Sequence, residues 1–482
     1  MTYTRKVAYN TLAQMIGRVV LIATSLVIVG ILTRHLGVEN FGRYTTAFAF
    51  VAFFGIFADL GFFYILVKEL TVDSKNSGKI IANVMSIRTI GALIAYSVGV
   101  LVAFLVPSYD EITRLAIIIA ALAYFWQTIQ NTLTAIFQVH FRMDKAILCD
   151  IVARLLTLSV IVWMASLDFG LVPIMSAYLA GNFTSFVLAY FLSRKYAPIK
   201  LGFDFAYWKE LIVKTLPMGV ALVLHFVYFR IDTLMLSVMK GAEHVGIYGP
   251  SYKILEVMFI LPGIFISSVL PIYARYLAKK DVRIHDAVQK AFDFLAIIGV
   301  PIIVGVFILA QPIVAFIAGD EFLSTSFVDF WGHPANSATN LQILIFASIG
   351  SFFAPVFIQL LVAGGHQKKL ILPNIIFVVF NVVLNIIFIP RWSYVAASFN
   401  TVATELLVLF MMTYLSYKTF KIFPRLTALA KAILSSLAMG GLIWTLRETN
   451  LFMLILLGAT SYFAIMWAIG GINKNMLKQF IS

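Results

Sequence analysis

The chain has almost no cysteine and few charged side chains. Its one cysteine, Cys149, excludes an intrachain disulfide and a metal cluster built on cysteine. Only 12% of the residues are charged, whereas a soluble domain carries about 25%. The seven histidines are scattered without a metal-ligand spacing such as H-E-x-x-H. The shortage of charge excludes a water-soluble globular protein. The single cysteine and the scattered histidines exclude a metal site built on cysteine or on closely spaced histidines.

Long apolar runs take the place of charge. Apolar residues make up 61% of the 482 positions, 43 residues are phenylalanine, and the mean hydropathy is +0.95. Because a membrane-spanning helix needs about 20 mostly apolar residues, the chain has room for roughly twelve to fourteen spans. The first run, near 10–33, is too long for the core of a signal peptide and lacks a small-residue cleavage site. We interpret it as the first span.

The apolar runs between charged or Pro/Gly breaks predict an all-α polytopic membrane protein with fourteen spans. The eleventh and twelfth spans are separated by little more than a tight turn at 390–393. The predicted spans lie near residues 10–33, 41–66, 80–105, 115–139, 148–167, 171–192, 212–239, 246–274, 291–318, 340–363, 370–390, 394–417, 427–446 and 450–471.

Lysine and arginine are distributed unequally among the predicted loops. The termini and the loops after even-numbered spans together hold 22 of them. The loops after odd-numbered spans hold five, which are Arg34, Arg114, Lys240, Arg391 and Arg447. Because basic loops stay in the cytoplasm, this bias predicts a cytoplasmic-membrane protein with both termini in the cytoplasm. It also accounts for the net charge of +14 without a nucleic-acid partner.

Two predicted hairpins carry the same sequence pattern. Residues 37–44 and 241–248 both read G-x-E-x-(F/V)-G-x-Y. The second copy lies just after the seventh span, so six spans separate the two hairpins. The repeat predicts two parallel six-span lobes, residues 1–200 and 201–420, followed by two additional spans in 421–482.

Three segments carry a family resemblance. They are T-R-H-L-G-V-E-N-F-G-R-Y at 33–44, R-I-D-T-L-M-L at 230–236 with Gly246 and Tyr248 beyond it, and the asparagine-rich stretch 381–405. With these segments the chain resembles the polysaccharide-export flippases of the multidrug/oligosaccharidyl-lipid/polysaccharide exporter superfamily, the group that includes O-antigen flippases. In the third segment, Ser393 and Ala396 stand where the family usually has glycine.

The resemblance implies a fold and a function. The implied fold has two pseudo-symmetric six-helix lobes around a central cavity lined by the first and seventh spans. The implied function is to move a polyprenyl-diphosphate-linked oligosaccharide to the outer leaflet by alternating access, for surface polysaccharide biosynthesis. The implied partners are that lipid-linked oligosaccharide and the membrane lipids, together with a polysaccharide polymerase and glycosyltransferases.

Polar side chains inside the spans are the candidate site residues, because an ionised group at the centre of a membrane helix costs about 2.5–3.5 kcal/mol. Guanidinium groups suit a diphosphate, and amides suit sugar hydroxyls. Some of the basic groups have a local carboxylate on the same helix face, so a structural ion pair competes with substrate binding. The cationic candidates are Arg18, Arg88, Arg154, Arg230 and Lys253, and the candidates for a polar cavity lining are Asn10, Gln14, Gln127, Asn131, Asn381 and Asn385.

Three acidic residues in the spans are candidates for ion coupling, namely Asp59, Asp232 and Glu405. Glu405 has no basic residue three or four positions away, so its carboxyl is expected to bind a proton. A structural carboxyl, protonated or paired across helices, is the competing interpretation. We expect no cofactor and no metal, with H⁺ or Na⁺ as the coupling ion.

Two other functions compete with the flippase. A MATE-type exporter of small cations usually has twelve helices, and the basic residues and the two extra spans oppose it. A membrane glycosyltransferase or polymerase usually carries acidic motifs or a large catalytic loop outside the membrane. The longest outer loop here, about 319–339, offers Asp320, Glu321, Asp329 and His333, and the chain has no second large catalytic loop. We therefore expect a transporter and not an enzyme.

Overall fold

The computed structural model describes residues 3–73, 76–324, 327 and 332–472. These residues fold almost wholly into helices, joined by short loops and by two 3₁₀ turns at Asp320–Leu323 and Gln367–Leu370. The α-helices are α1 (Tyr3–Asp59), α2 (Phe62–Val72), α3 (Ser77–Leu105), α4 (Glu111–Val139), α5 (Met143–Ser166), α6 (Leu171–Ser193), α7 (Phe205–Lys240), α8 (Ala242–Ala278), α9 (Arg283–Ile308), α10 (Ala310–Ala318), α11 (Ser337–Leu344), α12 (Ala347–Ala363), α13 (Ile371–Phe420), α14 (Thr427–Thr445) and α15 (Leu451–Ala468).

Within the described residues, eleven helical segments are long and apolar enough to cross a membrane, or twelve when the bent α7 is included. Two of the eleven, Gln14–Val72 and Gln367–Phe420, are 59 and 54 residues long, and each holds two predicted spans. Every one of the fourteen predicted spans therefore has a helical counterpart. The prediction of an all-α polytopic membrane protein is confirmed.

Backbone breaks divide the long helices. Gly37 (φ 70°) interrupts α1 and Ser393 (φ 48°) interrupts α13, the latter at the predicted tight turn. A further break, at Leu60 (φ 39°) and Gly61 (φ 82°), separates α1 from α2 inside the predicted second span. Positive φ angles are strained for a residue with a side chain. The Leu60 break therefore needs support from neighbouring packing, which the local sequence does not reveal.

Two predicted spans differ from the helices in detail. The predicted span 291–318 is divided at Leu309 into α9 and α10. The predicted span 340–363 consists of α11 and α12, with a turn between them. The predicted loop 319–339 lies partly outside the described residues.

The helices form two compact units, and unit 1 comprises Met1–Gly246. In unit 1, α1 packs against α3, α4, α5 and α7, and α4 packs against α6. Leu66, Leu133, Phe137 and Cys149 are among the buried residues of its core. In lipid, such contacts stabilise a helix bundle through close packing, since lipid tails are as apolar as leucine.

Unit 2 comprises Ile247–Ser482. In it, α12 packs against α9 and α13, while α14 packs against α9 and α15. Met439, Ile443 and Leu454 are buried in the core that these helices share. The Tyr462 hydroxyl donates a hydrogen bond of 2.8 Å to the Ile297 carbonyl, which ties α15 to α9. The last two spans are thus fixed within unit 2, and the lobe boundaries drawn from the repeat stay a prediction.

Candidate functional site

The two repeated hairpins have matching backbone turns. Gly37 (φ 70°, ψ 180°) and Gly241 (φ 86°, ψ −175°) occupy the same position in the repeat and adopt nearly the same conformation. Glycine reaches such positive φ angles without steric cost. The first glycine of each repeat therefore turns the chain from one span into the next.

The second glycine of each repeat allows a close backbone contact. A Cβ atom added to Gly42 would lie 1.8 Å from the Ala242 carbonyl oxygen, and one added to Gly246 would lie 2.0 Å from the Val38 carbonyl oxygen. No side chain fits at either position. The two hairpins are therefore in direct backbone contact within unit 1, at what we call the hairpin end (residues 37–46, 106–113 and 237–246).

An ion-pair cluster lies at the hairpin end. Arg43 donates to the Glu39 carboxylate at 2.6 Å, to Asp110 at 2.7 and 2.9 Å, and to the Asn40 side chain at 2.7 Å. Asp110 also caps α4 by accepting a hydrogen bond from the Thr113 backbone N–H. Partial burial raises the pKa of the Asp110 carboxyl, but the hydrogen bonds from Thr113 and Arg43 outweigh burial and hold that pKa below its ordinary value.

A polar cavity of about 210 Å³ adjoins this cluster. Besides the charged residues, its lining includes Thr46, Tyr109 and Ser237. The hydroxyls of Tyr109 and Ser237 lie 2.9 Å apart and share a hydrogen bond. Burial raises the pKa of Tyr109 to about 12, so its phenol is protonated at physiological pH. This site was not predicted from the sequence, although the spacing of Glu39 and Arg43 by four positions on a helix was a usable signal.

The structure brings two predicted site residues together at the break between α1 and α2. Arg88, which is 1% exposed, donates a hydrogen bond of 2.5 Å to Asp59. Its Nε and Nη1 groups have no partner among the described residues. The Asp59 side chain keeps 29% of its surface exposed. The pair is therefore a buried cation bonded to a partly accessible carboxylate.

Arg154 lies beside a group of tyrosines in unit 1. Its side chain is half-buried and interacts electrostatically with Tyr44, Tyr178 and Asp150. The two tyrosine hydroxyls are 2.6 Å apart. Tyr44 ends the first repeat, so the repeat contributes both a turn and a side chain to this polar group.

Other predicted residues of unit 1 are spread over its surface and interior. Arg18, Gln127 and Asn131 are exposed, and Gln14 is half-buried. Asn10 is buried and holds the turn before α5, because it donates to the Phe141 carbonyl and accepts from the Met143 N–H.

The predicted residues of α7 and α8 are differently buried. Arg230 is half-buried and Asp232 is buried, and both have electrostatic or hydrogen-bonding interactions. Lys253 forms a 3.0 Å ion pair with Glu256, one turn further along α8. For Lys253 the sequence left two interpretations open, a structural ion pair and substrate binding. The structure contains the ion pair.

The predicted polar residues of α13 form a buried hydrogen-bond network. Asn385 donates to Asn381 at 3.0 Å and accepts from Asn400 at 2.9 Å, and Asn381 donates to Thr404 at 3.4 Å. Glu405 is 5% exposed and lies against Gly350, where an added Cβ would be 2.6 Å from its Oε2 atom. These groups join the two halves of α13 to each other and to α12, and they lie inside the packing.

The described residues contain no group of three or more His, Cys, Asp or Glu side chains arranged to hold a metal ion. The predicted site residues are separate cationic and amide side chains, each carried by a helix. Such groups can bind phosphates and sugar hydroxyls without a covalent step.

Three comparisons relate the chain to known proteins. A sequence model of the polysaccharide biosynthesis protein family matches residues 31–326, which is more than half of the chain. Among curated proteins, the chain is similar to the probable flippase AglR of Haloferax volcanii, with 18% identity over 268 residues. That alignment covers 53% of each protein, so the chain spans about half the length of the curated relative it matches.

Solved structures share its fold. The lipid II flippase MurJ, in an inward closed conformation, superimposes with a TM-score of 0.75 and 14% identity, over 96% of this chain and 98% of that one. A multidrug resistance MATE family transporter of the MOP superfamily, in an inward-facing conformation, gives a TM-score of 0.64 and 15% identity, over 83% of this chain and 96% of that one. At sequence identities of 14% and 15%, these superpositions show that the fold is shared.

Proposed function

The chain belongs to the polysaccharide biosynthesis protein family, and from this premise we propose that it is a flippase that moves a lipid-linked oligosaccharide across a membrane. The family match over residues 31–326 is the observation that carries the proposal. That range includes the first repeat, the hairpin-end cluster, Arg88, Arg154 and Arg230. The names of AglR and MurJ, both flippases, support it.

The substrate we propose is a polyprenyl-diphosphate-linked oligosaccharide, and the chain's polar residues suit its parts. Arg18 is exposed on a span and is free to approach a diphosphate, which guanidinium groups bind with charge-assisted hydrogen bonds. Gln127 and Asn131, exposed on one face of α4, offer amides to sugar hydroxyls. Arg88 is buried against Asp59, so we assign it to positioning the break between α1 and α2.

Transport by alternating access needs an energy source, and we propose H⁺ or Na⁺ coupling through a carboxylate in the spans. Asp59 is the best placed of the three candidates because it is partly exposed and bonds to a buried cation. Binding of an ion to Asp59 would weaken the hydrogen bond between Asp59 and Arg88 and so affect the break between α1 and α2. Asp232 and Glu405 are buried and serve this role less readily.

A reconstituted transport assay tests the proposal. The purified full chain is placed in liposomes with a fluorescent polyprenyl-diphosphate oligosaccharide, and dithionite measures the fraction of label that reaches the outer leaflet. We expect faster exchange than in empty liposomes, a severalfold loss in Arg18→Ala and partial activity in Arg18→Lys. Exchange at the empty-liposome rate, with protein correctly inserted, would contradict the proposal.

The same liposomes separate the flippase from its alternatives. A MATE-type exporter would move a small organic cation and leave the lipid in place, and a glycosyltransferase or polymerase would change the mass of the oligosaccharide. The proposed membrane topology, with cytoplasmic termini, is tested by reporter fusions at both ends. Fusions that report the termini outside the cytoplasm would overturn the assigned direction of transport.

A further inference from the structure

A groove runs along the second half of α13, within unit 2. Its volume is about 690 Å³, and leucine, phenylalanine and tyrosine side chains between Leu406 and Phe423 line it, together with Thr413. The lining residues on the helix recur every three or four positions and therefore form one stripe. Phe410 and Tyr414 are 70% and 55% exposed, so a ligand outside the protein can contact the lining directly.

The chain after α13 forms one wall of this groove. Lys421 (φ 58°) ends the helix and turns the backbone. Ile422 and Pro424 are buried and hold the following segment against the protein. Phe423, between them, is 55% exposed and lines the groove. The groove is therefore bounded by a helix and by an anchored segment that follows it.

The length of the groove matches one leaflet of a membrane. Its helical lining extends from Leu406 to Tyr417, which is about 17 Å along the helix axis. The hydrocarbon core of a bilayer is about 30 Å thick, so one leaflet contributes about half of that depth. Because α13 belongs to an apolar segment that can cross a membrane, lipid chains surround its exposed face. The groove suits one extended acyl chain.

Unpaired lysines lie where the groove ends. Lys418 and Lys421 are exposed there, and the Lys421 ammonium lies 5.4 Å from the centre of the Tyr417 ring, which lines the groove. Lys369 reaches the same place, since its ammonium donates a 3.1 Å hydrogen bond to a threonine hydroxyl in the last turn of α13. None of these three lysines forms an ion pair with a carboxylate in the part of the chain that the structure describes. Their positive charge is available to an anion at the membrane surface.

We propose that the groove and its lysines form a binding site for an anionic phospholipid. One acyl chain lies along α13, and the phosphate lies at Lys418 and Lys421. Basic side chains beside a span attract anionic lipids, whereas the phosphate of a zwitterionic lipid is already neutralised by its own ammonium group. The site goes beyond the proposed function, because its lipid is a bound component of the protein and not the transported substrate.

Photolabelling of the full chain tests the proposal. The protein is placed in phosphatidylcholine nanodiscs with a small amount of phosphatidylglycerol that carries a diazirine in one acyl chain, and mass spectrometry locates the label after illumination. We expect label in the peptide that contains residues 406–423. Added unlabelled phosphatidylglycerol should remove this label, and the same amount of phosphatidylcholine should leave it.

Lys421→Gln tests the role of charge. One lysine at an anionic membrane surface contributes about a fivefold gain in binding, so labelling of 406–423 should fall about fivefold. Arg194→Gln is the matched control. Arg194 is exposed at the end of α6, lies 5.6 Å from the Tyr190 ring and is outside the groove, so its loss should leave this labelling unchanged.

Thr413→Trp tests the role of shape, because the larger side chain fills the groove and keeps the surface apolar. We expect a severalfold loss of label at 406–423. Ile386→Trp is its control, since Ile386 is 53% exposed on the first half of α13 and lies outside the groove. Unchanged labelling of the other helices in each variant shows that the fold is kept.

Three results would overturn the lipid site. Equal competition by phosphatidylcholine would make the groove an ordinary lipid-facing surface. Stronger competition by a polyprenyl diphosphate than by phosphatidylglycerol would assign the groove to the substrate's tail. An equal loss in Arg194→Gln and Lys421→Gln would show a general effect of basic charge. Because labelling is measured without transport, each result is independent of the proposed flippase activity.

Discussion

Two arginines of unit 1 meet carboxylates in opposite surroundings. Arg88 is 1% exposed, bonds to Asp59 and, at Nε and Nη1, has no further partner among the residues that the structure describes. Arg43 is 14% exposed, is bonded on several sides and lies against carboxylates that are 43% and 61% exposed. Water can solvate the carboxylates of Arg43 if the arginine is lost, whereas Arg88 depends on one partner. An arginine–carboxylate pair is therefore critical for stability at Arg88 and replaceable at Arg43.

The largest effect is expected from breaking the buried pair. Asp59→Ala leaves Arg88 buried without a counter-charge, so unfolding should require about 3–5 kcal/mol less free energy. Thermal unfolding of purified protein in detergent measures the loss as a lower midpoint. Glu256→Ala is the matched control, because Lys253 is 36% exposed and its pair should contribute no more than about 1 kcal/mol. Equal losses in the two variants would contradict the difference between buried and exposed pairs.

The next effect concerns the backbone contact that holds the hairpin end. In Gly42→Ala the new methyl group would lie 1.8 Å from the Ala242 carbonyl oxygen, so the hairpins must separate. We expect a loss of about 1–3 kcal/mol, as for an overpacked core, seen in the same unfolding measurement. Gly91→Ala is the control: the added Cβ in α3 meets open space, so stability should stay the same or rise. If both variants unfold alike, the close contact is not important for stability.

A smaller effect is expected at the accessible cluster. Asp110→Ala removes the cap of α4 and one partner of Arg43, and a lost helix cap costs about 0.5–2 kcal/mol. The loss should stay below that of Asp59→Ala because water replaces the carboxylate at Arg43. Asn450→Ala removes a cap of α15 that is uncharged and accepts a hydrogen bond from the Phe452 backbone N–H, so the difference between the two variants measures what Arg43 adds. A loss in Asp110→Ala above that in Asp59→Ala would reverse the comparison.

The smallest effect is a pH dependence of the same cluster. The folded-state pKa of Asp110 lies below its ordinary value, so its charged form stabilises the fold at neutral pH. That contribution is complete above the ordinary pKa of about 3.9 and is lost as the pH falls through the lower, folded-state pKa. Unfolding midpoints measured from pH 7 to pH 3 should therefore decline at the acidic end.

Asp110→Asn is the control for this pH dependence, because asparagine keeps a cap for α4 but has no charge to lose. Its midpoint should decline less steeply below about pH 4. Parallel declines in the variant and the wild type would assign the acid sensitivity to other carboxylates.

Apolar runs and glycine positions predicted most of the fold. Fourteen spans follow from the lengths of the apolar runs. A segment that crosses lipid must form its backbone hydrogen bonds within itself, and a helix does so. The turns at Gly37 and 390–393 follow from local sequence as well. The break at Leu60 was not predictable, since leucine has no preference for a positive φ angle and is held there by its surroundings.

The candidate site was less predictable than the fold. The sequence indicates that Asn381 and Asn385 share a helix face, but they bond to Asn400 and Thr404 across the break in α13. It also indicates that Arg43 can pair with Glu39, which is four residues away, and contains no sign of Asp110, which is 67 positions away. A helical period shows which residues share a face and leaves open which element covers that face.

By itself, the sequence determined the class of the protein, the number of spans and the position of the repeated hairpins, since each depends on residues close together along the chain. Only the tertiary structure decided that Arg88 is buried against Asp59, that Gly42 allows two backbones to touch, and that the Thr46 hydroxyl is enclosed beside a polar cavity. Burial and pairing depend on which helices meet, and packing between distant segments sets that choice.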